Sequence, residues 1–190
     1  GENGQTDSIP GWRAYDNTIP SGEFTNGWGR VTFALAPSNQ DLMYVLYENA
    51  DNAAASKSEA DLFRCDMSTS PFTWTNVSAN LTAKRNGSTD NYFQAQGGYN
   101  LTVAVHPTQS NIVFAGGVNL FRSTDGFATA ANTSFVGGLT SNTYDDPDNI
   151  SHVDYHFMVF DPTNANRLIT TSDGGLVASS DAAATRMTWN

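Results

Sequence analysis

Charge is scarce in this sequence. Charged side chains make up 15% of its 190 residues, and only nine are Lys or Arg against nineteen Asp or Glu, for a formal net charge of −10. A nucleic-acid binder needs a basic face, and nine scattered cations do not build one. The same balance disfavours anionic membrane surfaces. It suits neutral sugars, calcium, or solubility alone. Cysteine is nearly absent: Cys65 stands alone, so no intrachain disulfide forms and cysteine usage does not identify the compartment. No apolar run approaches the roughly eighteen residues of a membrane-spanning helix. No secretory leader opens the chain at Gly1, as expected of a mature, trimmed or partial product.

What fills the gap is Gly, Ser, Thr and Asn around 39% hydrophobic and 12% aromatic residues. That mixture suits a packed core of short strands joined by many turns. Three segments repeat: FALAPSNQDLMYVLY from Phe33, VAVHPTQSNIVFAGG from Val103, and MVFDPTNANRLITTS from Met158. Each is an apolar strand, a proline (Pro37, Pro107, Pro162), a polar turn, and a second strand centred on Tyr44, Phe114 or Ile169. Third strands follow at Leu62-Phe63-Arg64, Leu120-Phe121-Arg122 and Leu176-Val177-Ala178, and aromatic fourth strands near Trp74, Phe135 and Trp189.

Four antiparallel strands repeated in this way form the blade of a β-propeller. The fold class expected is all-β, about three blades of a partial propeller. The units run over residues 27–78, 97–137 and 152–190, and residues 11–16 read as the last strand of a preceding blade. Inner strands packed on both faces read as continuous apolar runs, as FALA, VAV and MVF do. Closed propellers have about four to eight blades, so the remaining blades of a longer chain are expected. Insertions at 48–61 and 136–151 account for unequal spacing, and the second carries Asp145, Asp146 and Asp148, hard oxygen donors of the type calcium takes. Six Asn-x-Ser/Thr triplets (Asn76, Asn80, Asn86, Asn100, Asn132, Asn149) agree with secretion, though a chain this rich in Asn, Ser and Thr produces some by chance.

The segment from Ser123 through Asp125 to Thr129 resembles the Asp-box of BNR repeats, S-x-D-x-G-x-T-W. Ser179 and Asp181 begin a second copy without the glycine, and in the first unit Cys65 and Met67 take the Ser and Asp places. The role implied is structural, with Ser and Asp side chains bonding the hairpin backbone. From His152 to Trp189 the chain is similar to secreted bacterial propeller proteins of glycosyl-hydrolase or sortilin-like type. That resemblance implies an extracellular or cell-surface propeller of seven or eight blades, but no particular reaction.

The residues that stand out chemically are His152, Asp154 and His156. On a strand, i, i+2 and i+4 share a face, so the three are expected to converge at the channel end of an innermost strand. The matching positions of the other units are Gly97, Tyr99 and Leu101, and Gly27, Gly29 and Val31, so the fold does not require a polar triad. Two imidazoles and a carboxylate suit a divalent metal, acid–base chemistry, or hydrogen bonds to sugar hydroxyls. The plainer alternative is a buried polar network bracing the channel. Asp173, before Gly174-Gly175, either faces the same mouth or caps a turn. Trp28, Tyr92, Phe93 and Tyr99 are aromatics that either stack on sugars or pack between blades. No sialidase arginine cluster can be assembled, and no carboxylate pair typical of glycosidases is recognisable. Three readings stay open: a carbohydrate-active or carbohydrate-binding propeller, glycoside hydrolase-like if an enzyme; a non-enzymatic protein-binding scaffold of sortilin type; and a metal-supported structural role for His152, Asp154 and His156. Partners follow accordingly: a glycan or another protein, with no nucleic acid and no membrane span.

Overall fold

The computed structural model describes residues 30–48, 59–81, 93–138 and 151–190. The expectations for residues 11–16, Trp28, Tyr92, Asn86, Asn149 and the Asp145, Asp146 and Asp148 cluster lie outside these residues, as do those for most of both insertions.

The strands fall into three antiparallel sheets, each a simple meander. The first is β1 (Val31–Ala36), β2 (Asn39–Glu48), β3 (Ala60–Asp66) and β4 (Thr73–Asn76). The second is β5 (Thr102–Val105), β6 (Val113–Gly116), β7 (Leu120–Ser123) and β8 (Thr133–Gly137). The third is β9 (Tyr155–Asp161), β10 (Asn164–Ser172) and β11 (Gly175–Ser179). A fourth strand expected near Trp189 is reduced to one paired position: Asn190 and Ala178 exchange backbone bonds of 2.8 and 3.0 Å. The turn Pro37, Pro107 or Pro162 opens the hairpin from first to second strand in each sheet, as the repeat predicts.

The sheets stack face to face with their first strands, β1, β5 and β9, as neighbours. That is the arrangement of consecutive propeller blades around an axis. Period-two alternation explains how the middle sheet serves both interfaces. Leu101, Val103, Val105, Val113, Ala115 and Phe121 face the first sheet, where they meet Tyr44, Leu46 and Leu62. Ala104, Phe114, Leu120 and Val136 face the third, where they meet Met158, Leu168 and Tyr155. Every residue of β5, β6 and β7 is therefore buried. Burying one such large apolar side chain contributes about 1.5–3 kcal/mol.

The outer first strands depart from the continuous-run expectation. Phe33 and Leu35 in β1, and Phe157 and Val159 in β9, are exposed on the faces that no described sheet covers. Outer strands tie the stack together. Asn80 Nδ2 donates to Phe127 O at 2.9 Å, Thr133 Oγ1 donates to Asn80 O at 3.0 Å, and Trp189 Nε1 donates to Val136 O at 2.7 Å.

Candidate functional site

At the end of the stack where the first strands begin, polar side chains gather between the second and third sheets. The turn Gln96-Gly97-Gly98 runs through three consecutive positive φ angles, which two glycines allow. It delivers Tyr99 to the surface and Asn100 to the interior. Arg30, just ahead of β1, donates to the Gly98 and Tyr99 carbonyls at 3.4 and 3.2 Å and fixes this turn from the first sheet.

The third sheet supplies the acids and imidazoles. Tyr155 pairs with Ser172 and Phe157 with Thr171, so His156 is an extra, unpaired residue in a β-bulge. Bulges re-aim side chains, and here the His156 ring meets Asp173: Nε2 lies 2.6 Å from Oδ1. Tyr99 donates its hydroxyl to the same oxygen at 3.2 Å, and its ring stands edge-on to His156 with centroids 4.8 Å apart. His156 and Asp173 are both partly open to solvent, and Tyr99 is 56% exposed.

Asp154 precedes the strand and carries a positive φ of 69°. Its N–H donates to Val118 O at 2.9 Å, and its carbonyl accepts from Asp173 N–H at 3.3 Å. The side chain accepts from Asn100 Nδ2 at 2.7 Å. Asn100 is fully buried, also donates to Gln96, and leaves its Oδ1 without a partner among the described residues. Burial keeps Asn100 from serving as a glycan acceptor in the folded chain, whatever its Asn-x-Thr triplet suggests.

The two carboxyls are driven apart. Burial, then the charge of Asp173, raises the Asp154 pKa, while the Asn100 bond and the nearby imidazoles oppose the shift. The His156 hydrogen bond, assisted by Tyr99, holds Asp173 below the usual carboxylate range against slight desolvation. The bond to Asp173 in turn raises the Tyr99 hydroxyl. Asp154 therefore holds its proton more tightly than Asp173 does.

This geometry corrects the picture of three ligands on one strand face. β9 starts only at Tyr155, and the positive φ at Asp154 breaks the alternation the sequence argument relied on. Asp154 turns to Asn100, His156 to Asp173, and His152 places Nδ1 2.9 Å from the Val153 carbonyl. Among the described residues no group of three or more His, Cys, Asp or Glu side chains is placed to hold a metal ion.

Asp173 does face the mouth, and the two glycines after it act differently. Gly175 takes a φ of 107°, whereas Gly174 lies under His152: a Cβ there would sit 2.3 Å from the His152 Cβ. Of the candidate aromatics, Tyr99 is at the site and Phe93 is wholly buried against Phe121.

The Ser-x-Asp turns sit elsewhere, between third and fourth strands. Ser123 Oγ donates to Asp125 Oδ1 at 2.8 Å and accepts from the Phe127 and Asp125 amides at 2.7 and 3.1 Å. Asp125 also accepts from Thr129 and Asn132. Slight burial pushes its pKa up, but these bonds outweigh it and bring the value down to about 2. Ser179 repeats the motif, donating to Asp181 at 2.6 Å, while Thr188 closes the turn onto Asp181.

No protein-family profile and no curated protein matches the chain. Several solved structures resemble it, two GH74 enzymes among them. One is a GH74 enzyme of Niastella koreensis, at 18% identity and a TM-score of 0.49 over 82% of this chain. The other is the GH74 xyloglucanase of Xanthomonas campestris, at 15% identity and 0.48 over 83%. The chain spans 22% of the length of each. The propeller reading stands on the order and packing of this chain's own sheets.

Proposed function

We propose that this chain is part of a secreted, carbohydrate-binding or carbohydrate-active propeller, and that Tyr99, Asp154, His156 and Asp173 form its saccharide site. The observation that carries this reading is the exposed Tyr99 ring set beside the His156–Asp173 pair. Sugars need an apolar ring face to stack on and fixed acceptors and donors for their hydroxyls. Tyr99 offers the first, and Asp173 with His156 offers the second. A neutral ligand fits better than an anionic one, because two carboxyls at the mouth and a net charge of −10 repel anionic glycans. The split between Asp154 and Asp173 equips the same site for general acid–base chemistry on a glycosidic bond.

Calorimetric titration with neutral oligosaccharides, xyloglucan fragments among them, tests this. Tyr99→Ala is expected to weaken binding about tenfold through loss of stacking, and Asp173→Asn to weaken it further. Hydrolysis, assayed in parallel, is expected to fall in Asp154→Asn with binding retained. Unaltered affinity in both Tyr99→Ala and Asp173→Asn would remove the site from the account.

A further inference from the structure

The turn that presents Tyr99 is held from outside its own sheet. Gln96, Gly97 and Gly98 take φ angles of 48°, 64° and 80°. For Gln96, which has a Cβ, that conformation persists only where its surroundings impose it. Glu59, just ahead of β3 in the first sheet, imposes it. Its N–H donates to Phe93 O at 2.7 Å, and its Oε2 accepts from the Ala95 and Gln96 amides, each at 2.8 Å. Amides bond a carboxylate more strongly than they bond a carbonyl. Arg30 takes the carbonyl end of the same turn, at Gly98 and Tyr99, and the fit is close: a Cβ on Gly98 would lie 3.0 Å from the Arg30 Cβ.

The repeat shows that the fold does not require an acid at this place. Three positions before Leu62, Leu120 and Leu176 stand Glu59, Gly117 and Asp173. Gly117 leaves no room for a side chain, since a Cβ there would fall 2.2 Å from Gln94 O. The two acids flank the 95–99 segment of the second sheet. Glu59 takes its amides, and Asp173 accepts the Tyr99 hydroxyl at 3.2 Å. One repeat position, acidic in both neighbouring sheets, thus grips the segment from either side. The Tyr99 ring is 56% exposed, so packing does little to fix it and the turn beneath sets its direction.

We propose that Glu59, assisted by Arg30, is a positioning residue for saccharide binding: acting through the turn, it holds the Tyr99 ring beside His156. This rests on the reading of Tyr99 as the stacking ring. A ring held in place beforehand loses less freedom when a sugar stacks on it, so affinity falls when the hold is lost even though the stacking atoms remain. The site then draws on all three sheets, with Glu59 and Arg30 from the first, Tyr99 from the second, and His156 and Asp173 from the third.

Two readouts on the whole chain test this. The first needs no sugar: the nuclear Overhauser contact between the Tyr99 and His156 rings, whose centroids lie 4.8 Å apart. It is expected to vanish in Glu59→Ala and to persist in Glu59→Gln, whose amide oxygen still accepts both N–H groups. The second is affinity for a xyloglucan oligosaccharide by calorimetry. Glu59→Ala is expected to weaken it severalfold, by no more than the loss of about tenfold expected of Tyr99→Ala, and Glu59→Gln to leave it close to wild type. Adding Glu59→Ala to Tyr99→Ala is expected to cost nothing further, because Glu59 acts only through that ring. Should Glu59→Ala fail to fold, Arg30→Ala changes an exposed side chain at the other end of the turn and is expected to weaken the same ring contact. An undiminished ring contact in the folded variant, or losses that add in the double variant, would overturn the proposal. If the wild type binds no oligosaccharide while Glu59→Ala loses the ring contact, the saccharide reading fails and the placement of Tyr99 by Glu59 stands.

Discussion

Ser123 illustrates how much one buried hydroxyl carries. It bonds two backbone amides and Asp125, and Ser123→Ala leaves those amides unpaired, so a loss of about 1–3 kcal/mol is expected in denaturant unfolding. Asp125 adds a pH signature. Its folded pKa lies near 2, below its ordinary value of 3.8. Its contribution is therefore fully present above the ordinary value and is lost as pH falls toward 2. Melting temperature measured down through this window should fall less steeply in Asp125→Asn than in the wild type, and parallel curves would contradict the assignment. At the site, Gly174→Ala drives a Cβ into His152 and is expected to cost about 1–3 kcal/mol while weakening saccharide binding. These turns were legible in the sequence because each is built within about ten residues. Asn100 was not: its bond to Asp154 spans 54 positions, and no local pattern marks an asparagine that will be buried against a distant acid.

Among the elements, the strands were the most legible part, because proline turns and apolar triplets recur at matching offsets in every unit. The bulge at His156 escaped notice. It depends on Ser172 and Thr171 pairing around an extra residue, which alternation read along one strand does not reveal. The expectation that His152, Asp154 and His156 share one face fails for a different reason: β9 begins only at Tyr155, and Asp154 takes a positive φ. Arg122 lies on the third strand of its unit, but its partners are in the next sheet. Burial lowers its pKa, and the charge of Asp181 opposes that shift. Its guanidinium holds three carbonyls there, so Arg122→Met should destabilise the chain by about 3 kcal/mol or more. Amide exchange near Ala182 to Thr185 should speed up before exchange in β5 and β6 does. Equal acceleration throughout would mean that the third sheet does not depend on this staple.

For the whole molecule, the all-β stack of blades was legible from repetition alone. The two open faces were not, because FALA and MVF read as doubly buried strands, while burial depends on whether a further sheet arrives. Among the described residues no helix is long and apolar enough to cross a membrane. The stacking order places Arg30, Tyr99 and the Asp154–Asp173 cluster at the ends of adjacent first strands, so the site belongs to the packing of sheets and not to any one of them. It also separates the site from the Ser-x-Asp turns, which lie between third and fourth strands. The most direct test of a saccharide site there is a nuclear magnetic resonance titration of the labelled chain with a neutral oligosaccharide. The account predicts saturable shifts at Tyr99, Asp154, His156, Asp173 and Gly174, with the Ser123–Asp125 turn unmoved. Shifts confined to the exposed sheet faces, or none with any neutral glycan, would contradict it.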